Sequence, residues 1–245
     1  VRCIAVRGGG VDLAACGSRF VVTASRDQTV KFWDLTTGFC DATVSDHTDW
    51  VRCIAVRGAC EAPRGGGDSS SPPDAAGDAS SRLALVASSG NDRTIRVVDA
   101  HGKRDAVCEL RGHDHVVEAL SFLCSSALPA AGAAGRSSPS RDRLASASRD
   151  RTVRLWSVSS GGSCLATFGG HENWVRGVVL HPSGDFVVSC GDDRTVRVFD
   201  VKGGRCLRTI EDAHPHFVTC LAMHWTMPVL VTGGVDNVVR CWQLD

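Results

Sequence analysis

The stretch Ser146-Ala-Ser-Arg-Asp-Arg-Thr-Val-Arg-Leu-Trp-Ser157 decides the fold, because its pattern occurs four more times in the chain. Small residues precede an aspartate, and an apolar alternation with strand character follows, usually ending on an aromatic. The counterparts are Thr23-Ala-Ser-Arg-Asp-Gln-Thr-Val-Lys-Phe-Trp-Asp34, Ser88-Ser-Gly-Asn-Asp-Arg-Thr-Ile-Arg-Val-Val-Asp99, Ser189-Cys-Gly-Asp-Asp-Arg-Thr-Val-Arg-Val-Phe-Asp200 and Thr232-Gly-Gly-Val-Asp-Asn-Val-Val-Arg-Cys-Trp-Gln243. Their aligned aspartates are Asp27, Asp92, Asp150, Asp193 and Asp236.

Asp150 to Asp193 and Asp193 to Asp236 are both steps of 43 residues, the length of a four-stranded WD40 blade. The expected fold is therefore all-β: a WD40 β-propeller whose five blades cover roughly 1–45, 46–111, 112–169, 170–212 and 213–245. The two earlier steps are longer by 22 and 15 residues. The excess falls in 57–82 and 124–143, both rich in Ala, Gly, Ser and Pro. Such composition buries too little apolar surface to offset its ordering entropy, so these insertions read as flexible surface loops between strands A and B. In the fourth repeat, Trp174–Leu180 reads as strand A, Phe186–Cys190 as B, Thr195–Asp200 as C and Arg205–Ile210 as D. The fifth repeat has no strand D. Five blades can close a ring, but an open portion of a larger ring is the expectation adopted here.

Twenty-seven Lys and Arg balance twenty-seven Asp and Glu, which gives no overall basic excess for nucleic acid or membrane binding. None of the twelve cysteines forms a C-x-x-C pair, and several recur at equivalent repeat positions. They read as small buried hydrophobes and favour a reducing compartment such as the cytosol. No apolar run approaches the ~20 residues that span a bilayer. A G-x-S-x-G elbow, a Walker A loop and H-E-x-x-H are all missing, so neither catalysis nor a metal or cofactor is expected.

The loop before each strand A carries a histidine: His47, His113, His171 or His214. Histidine, Ser or Thr, aspartate and tryptophan in one repeat resemble a catalytic set. A catalytic triad, however, occurs once per active site, whereas this set returns in nearly every repeat. Its expected role is structural, a hydrogen-bonded lock between the loop and the B–C turn.

The same face collects another chemistry. Arg26, Arg93, Arg149, Arg151 and Arg194 flank the turn aspartates, which are expected to be buried. Trp50, Trp174 and Phe217 hold matching loop positions, and Arg52 and Arg176 follow two residues after each Trp. Aspartates committed to internal bonds would leave a positive, aromatic surface suited to a carboxylate-rich protein partner.

Within the WD40 class, the segments His47-Thr-Asp-Trp-Val-Arg52, Leu110-Arg-Gly-His-Asp-His-Val-Val-Glu118, His171-Glu-Asn-Trp-Val-Arg-Gly177, Ala213-His-Pro-His-Phe-Val-Thr219 and Val231-Thr-Gly-Gly-Val-Asp-Asn237 resemble the last five repeats of the lissencephaly-1 family. That resemblance implies a seven-bladed parent that dimerises through an N-terminal segment absent from these 245 residues. It implies a non-catalytic regulator of cytoplasmic dynein in microtubule-based transport, nuclear migration and spindle function. Expected partners are the dynein motor domain, acetylhydrolase catalytic subunits and dynein cofactors. The expected location is the cytoplasm, the cytoskeleton and the centrosome. The resemblance also implies that Arg26, Trp50, Arg52, Arg149, Trp174, Arg194 and Phe217 face the motor, with Arg194 standing where relatives often carry Lys. The competing reading is a generic WD40 adaptor, such as a ubiquitin-ligase substrate receptor.

Overall fold

Short runs of β-branched and small apolar residues, cut every five to seven positions by Gly, Asp or Asn turns, can satisfy their backbone only by pairing with the next run. The computed structural model of the chain describes residues 1–6, 20–57, 85–100, 104–123, 142–159, 161–224 and 227–243. Every regular element among them is a strand. The first blade holds β1 (Cys3–Val6), β2 (Phe20–Ala24), β3 (Val30–Asp34) and β4 (Cys40–Val44). The second holds β5 (Val51–Arg57), β6 (Leu85–Gly90), β7 (Ile95–Asp99) and β8 (Ala106–Leu110). The third holds β9 (Val117–Phe122), β10 (Arg143–Ser148), β11 (Val153–Ser157) and β12 (Ser163–Phe168). The fourth holds β13 (Val175–Leu180), β14 (Phe186–Gly191), β15 (Val196–Asp200) and β16 (Arg205–Ile210). The fifth holds β17 (Val218–Met223), β18 (Val229–Gly234) and β19 (Val239–Gln243).

Each blade is an antiparallel meander in sequence order, with four strands in the first four and three in the fifth. Among the described residues the fifth sheet has three strands, as expected. Strands A of consecutive blades face one another, which makes them the inner strands of the propeller. Four apolar clusters fill the spaces between blades one and two, two and three, three and four, and four and five.

Burial along strand B shows that the ring is incomplete. β6 is buried at every position, and β10 and β14 at all but their first. Both faces of these sheets are therefore covered. β2 and β18 instead alternate between buried and partly exposed residues, so the first and fifth blades are each covered on one face. A closed ring would bury both faces of every blade.

Most of the two insertions, residues 58–82 and 124–141, lies outside the described residues. Their ends correct the expected boundaries. Arg57 closes β5 and pairs with Leu85, and Arg143 opens β10 opposite Ser157. Arg57 is buried, ion-paired to Asp142 of the third blade and placed over the Phe122 ring. A desolvated, paired guanidinium explains why a charged residue could belong to a strand.

The cysteines correct a second expectation. Of those described, only Cys190 is buried; Cys40, Cys164, Cys206, Cys220 and Cys241 are exposed, and all are free thiols. Cys40, Cys164 and Cys206 sit on strand D, the outer edge of a blade, where no further sheet covers them.

Candidate functional site

The histidine locks form as the repeat implies. His47 Nδ1 lies 2.7 Å from Asp92 Oδ2 and its Nε2 2.8 Å from Ser88 Oγ. His113 bridges Asp150 and Ser146 with both contacts at 2.7 Å, and His171 does the same with Asp193 and Ser189. His214 reaches Asp236 at 2.9 Å and Thr232 at 2.8 Å. Where the aromatic is tryptophan, its Nε1–H donates to the same hydroxyl, as Trp156 does to Ser146 and Trp242 to Thr232.

Each aspartate also accepts the backbone N–H two residues on, from Thr29, Thr94, Thr152, Thr195 or Val238. This closes a turn that puts the intervening residue in the left-handed region: Gln28, Arg93, Arg151, Arg194 and Asn237 all have φ between 61° and 70°. Burial opposes ionisation of Asp92, Asp150 and Asp193, but the bonds from histidine and threonine outweigh it. Asp92 and Asp193 are each held down at about 2, and Asp150 is lowered in the same way. Asp27 departs from the expected burial. It is exposed, and among the described residues its carboxylate accepts from the Thr29 amide and hydroxyl while its own amide donates to the Ser25 hydroxyl.

Beside the locks, the candidate partner residues form separate groups, of which the one around Trp174 is the largest. Trp50, Trp174 and Phe217 are 39%, 36% and 37% exposed at equivalent positions just before β5, β13 and β17. The Arg26 guanidinium lies 4.5 Å from the Trp50 ring centre. Arg149 and Arg176 cover the Trp174 ring at 4.3 and 5.1 Å. Phe217 packs edge-on against His216, with ring centres 4.4 Å apart. Arg194 stands apart from the tryptophans, exposed and 3.5 Å from Asp212.

The arginines are less free than the sequence implies. Arg176 makes a two-pronged pair with Asp192, both contacts 2.8 Å, and this pairing raises its pKa against the opposing effect of burial. Arg52 Nε donates to Asn91 Oδ1 at 2.6 Å. Arg149 Nε donates to Glu118, a residue the sequence reading passed over. The same Glu118 oxygen lies 3.6 Å from both Arg52 Nη1 and Arg176 Nη1. The sequence did hold a signal for it. The second residue of strand A and the residue before the turn aspartate carry matched partners in three repeats: Arg52 with Asn91, Glu118 with Arg149, and Arg176 with Asp192. In the third repeat the polarity is reversed.

Backbone geometry aims these side chains. Between strands A and B the pairing register slips once in each of blades two to five. The residues left without a partner at the slips are Arg52, Glu118, Arg176 and Thr219. Such bulges turn one side chain away from the regular pleat. Close approach of the tryptophan carbonyls adds a local demand for glycine, since a Cβ on Gly191 would sit 2.6 Å from Trp174 O. Nearby, Asn91, Arg93, Asp114, His115 and Val116 line a shallow cleft of about 210 Å³. Among the described residues no group of three His, Cys, Asp or Glu side chains is placed to hold a metal ion.

The family description "WD domain, G-beta repeat" matches residues 1–34, 104–157, 162–200 and 204–243. The second blade, which carries the longer insertion, falls mostly outside those matches yet folds like its neighbours. Nuclear distribution protein PAC1 of Coccidioides posadasii (strain C735) is 34% identical over 168 residues, which cover 66% of this chain and 30% of that protein. Nuclear distribution protein PAC1 of Arthroderma otae is 33% identical over 180 residues, 71% of this chain and 34% of that relative. Nuclear distribution protein nudF 1 of Talaromyces marneffei is 34% identical over 173 residues, 68% and 33% of the respective chains. The chain thus spans about a third of the length of the curated relatives it matches. Five repeat-length sheets, their histidine–aspartate locks and these matches lead to one conclusion: the chain belongs to the WD domain, G-beta repeat family.

Proposed function

We propose that this chain supplies the partner-binding face of a non-catalytic regulator of cytoplasmic dynein, acting in nuclear distribution and microtubule-based transport. The observation that carries the reading is the repeated arginine-on-tryptophan arrangement, Arg26 on Trp50 and Arg149 with Arg176 on Trp174, exposed beside the locks of the second and fourth blades. A ring held under guanidinium groups loses little freedom when a partner lands on it, and Trp and Arg dominate interface energetics. Relatives named for nuclear distribution, together with the lissencephaly-1 resemblance, point the face toward the dynein motor domain. Acetylhydrolase catalytic subunits and dynein cofactors are further proposed partners, and the cytoplasm, cytoskeleton and centrosome the proposed locations. The action is binding: docking shifts the motor between conformations only if its affinity for them differs.

The test is binding of the full chain to a purified dynein motor domain, beside a Trp174→Ala, Arg149→Ala variant. Loss of binding by the variant, with its melting temperature retained, supports the reading and places the contact. Equal binding by both moves the contact elsewhere, and no binding by the intact chain refutes the dynein assignment.

A further inference from the structure

Three arginines from three blades converge on one carboxylate. Arg52 leaves the second blade, Arg149 the third and Arg176 the fourth, and each has a guanidinium nitrogen within 3.6 Å of Glu118 Oε1. The Glu118 side chain is 11% exposed, and the arginine side chains are 15%, 16% and 24% exposed. The contacts are therefore largely shielded from water, where screening is weak. Three of the four residues, Arg52, Glu118 and Arg176, are the ones left over at the strand A bulges, so the backbone itself directs them inward. Two of the gathered guanidiniums, those of Arg149 and Arg176, also hold the Trp174 ring.

We propose that Glu118 is the positioning residue of this face: its carboxylate gathers Arg52, Arg149 and Arg176 and so fixes Trp174 for an acidic protein partner. The inference rests on the proposed motor-binding role of the face. Without the carboxylate, three cations share a poorly hydrated space and repel one another. The field at Arg52 already shows this. Burial lowers its pKa, Glu118 raises it, and Arg149, Arg2 and Arg176 lower it further. Asp192 retains Arg176 through its own two-pronged pair, so the arginines that Glu118 alone orders by charge are Arg52 and Arg149.

Opposite signs separate this role from a simple charge effect. If the face worked only as a diffuse positive surface, Glu118→Gln would make it more positive and tighten binding to an acidic partner. A positioning role predicts weaker binding from the same substitution. The experiment measures association and dissociation rates of the full chain with the purified dynein motor domain, for the unmodified protein, Glu118→Gln and Glu118→Asp. Glu118→Gln should raise the dissociation rate at least about tenfold, about 1.4 kcal/mol, while the association rate holds or rises. Glu118→Asp keeps the charge but withdraws it by one methylene, so it should change the dissociation rate in the same direction and by less. It also serves if Glu118→Gln fails to fold.

A second readout needs no partner. Acrylamide quenching of tryptophan fluorescence should rise in Glu118→Gln, and the rise should vanish in a Trp174→Phe background. Unchanged or slower dissociation overturns the proposal while the dynein reading stands. If the intact chain does not bind the motor, the dynein reading fails and quenching decides the positioning role. Unchanged quenching then overturns it.

Discussion

Replacing Asp150 by alanine removes four accepted hydrogen bonds at once. His113 Nδ1 lies 2.7 Å from the carboxylate, the Asp114 amide 3.1 Å, the Thr152 amide 2.9 Å and the Thr152 hydroxyl 2.6 Å. The His113 side chain is 1% exposed, so no solvent can replace its lost partner. A buried donor left unpaired costs about 1–3 kcal/mol, and each of the more accessible bonds is worth about 0.5–1.5 kcal/mol. The sum is about 5 kcal/mol. For a fold of about this length each kcal/mol moves the midpoint by about 2–4 °C, so thermal melts of the full chain should show a fall on the order of 10 °C. Asp27→Ala is the matched control. It sits at the equivalent turn but is exposed and, among the described residues, has no histidine partner, so in this chain its melt should move by a small fraction of that amount. Equal shifts for the two variants would show that the turn alone, and not the lock to the preceding loop, carries the stability.

Acidification should act through the same groups. Asp92 and Asp193 have folded pKa values of about 2, below the ~3.9 of an unfolded aspartate. Above pH 4 both states are ionised and the stabilisation is complete. Between pH 4 and pH 2 the unfolded chain takes up protons first, so urea midpoints should fall steeply across that window, and less steeply for Asp92→Asn. Arg104→Ala should lower the unfolding free energy, read from a urea titration, by about 1–3 kcal/mol. It deletes a 2.7 Å bond to Asp41 and a guanidinium seated over the Phe32 and Phe20 rings, together a staple from the second blade to the first. Gly191→Ala forces a methyl group against the Trp174 carbonyl at 2.6 Å, so it should cost about 1–3 kcal/mol in a urea titration and also weaken motor binding by displacing the Trp174 loop.

Features that repeat were open to sequence reading. The five aspartates, the four histidines and the strand limits of the fourth blade follow from a pattern seen several times, and the observed strands agree with it to within a residue or so. Features that occur once were not. Glu118 occupies a position filled elsewhere by Arg52, Arg176 and Thr219, so repeat alignment makes it look like noise, and only the pairing across the bulge gives it meaning. Arg57 reads as loop from the low apolar content of its neighbours, whereas an ion pair with Asp142 and the Phe122 ring secure it inside a strand. The exposed cysteines misled for a related reason. Recurrence marks an equivalent position but does not say which edge of the blade that position occupies.

The locks also differ in the length of chain that each must close. His171 and His214 each lie 22 residues before their aspartates, whereas His113 lies 37 and His47 lies 45 residues before theirs. Doubling the segment to be closed costs only about 0.6 kcal/mol of chain entropy, so the finished blades can be equally secure. The search for the contact is nevertheless shorter in the fourth and fifth repeats. The two insertions thus lengthen the chain that the second and third locks must close without changing the locks themselves.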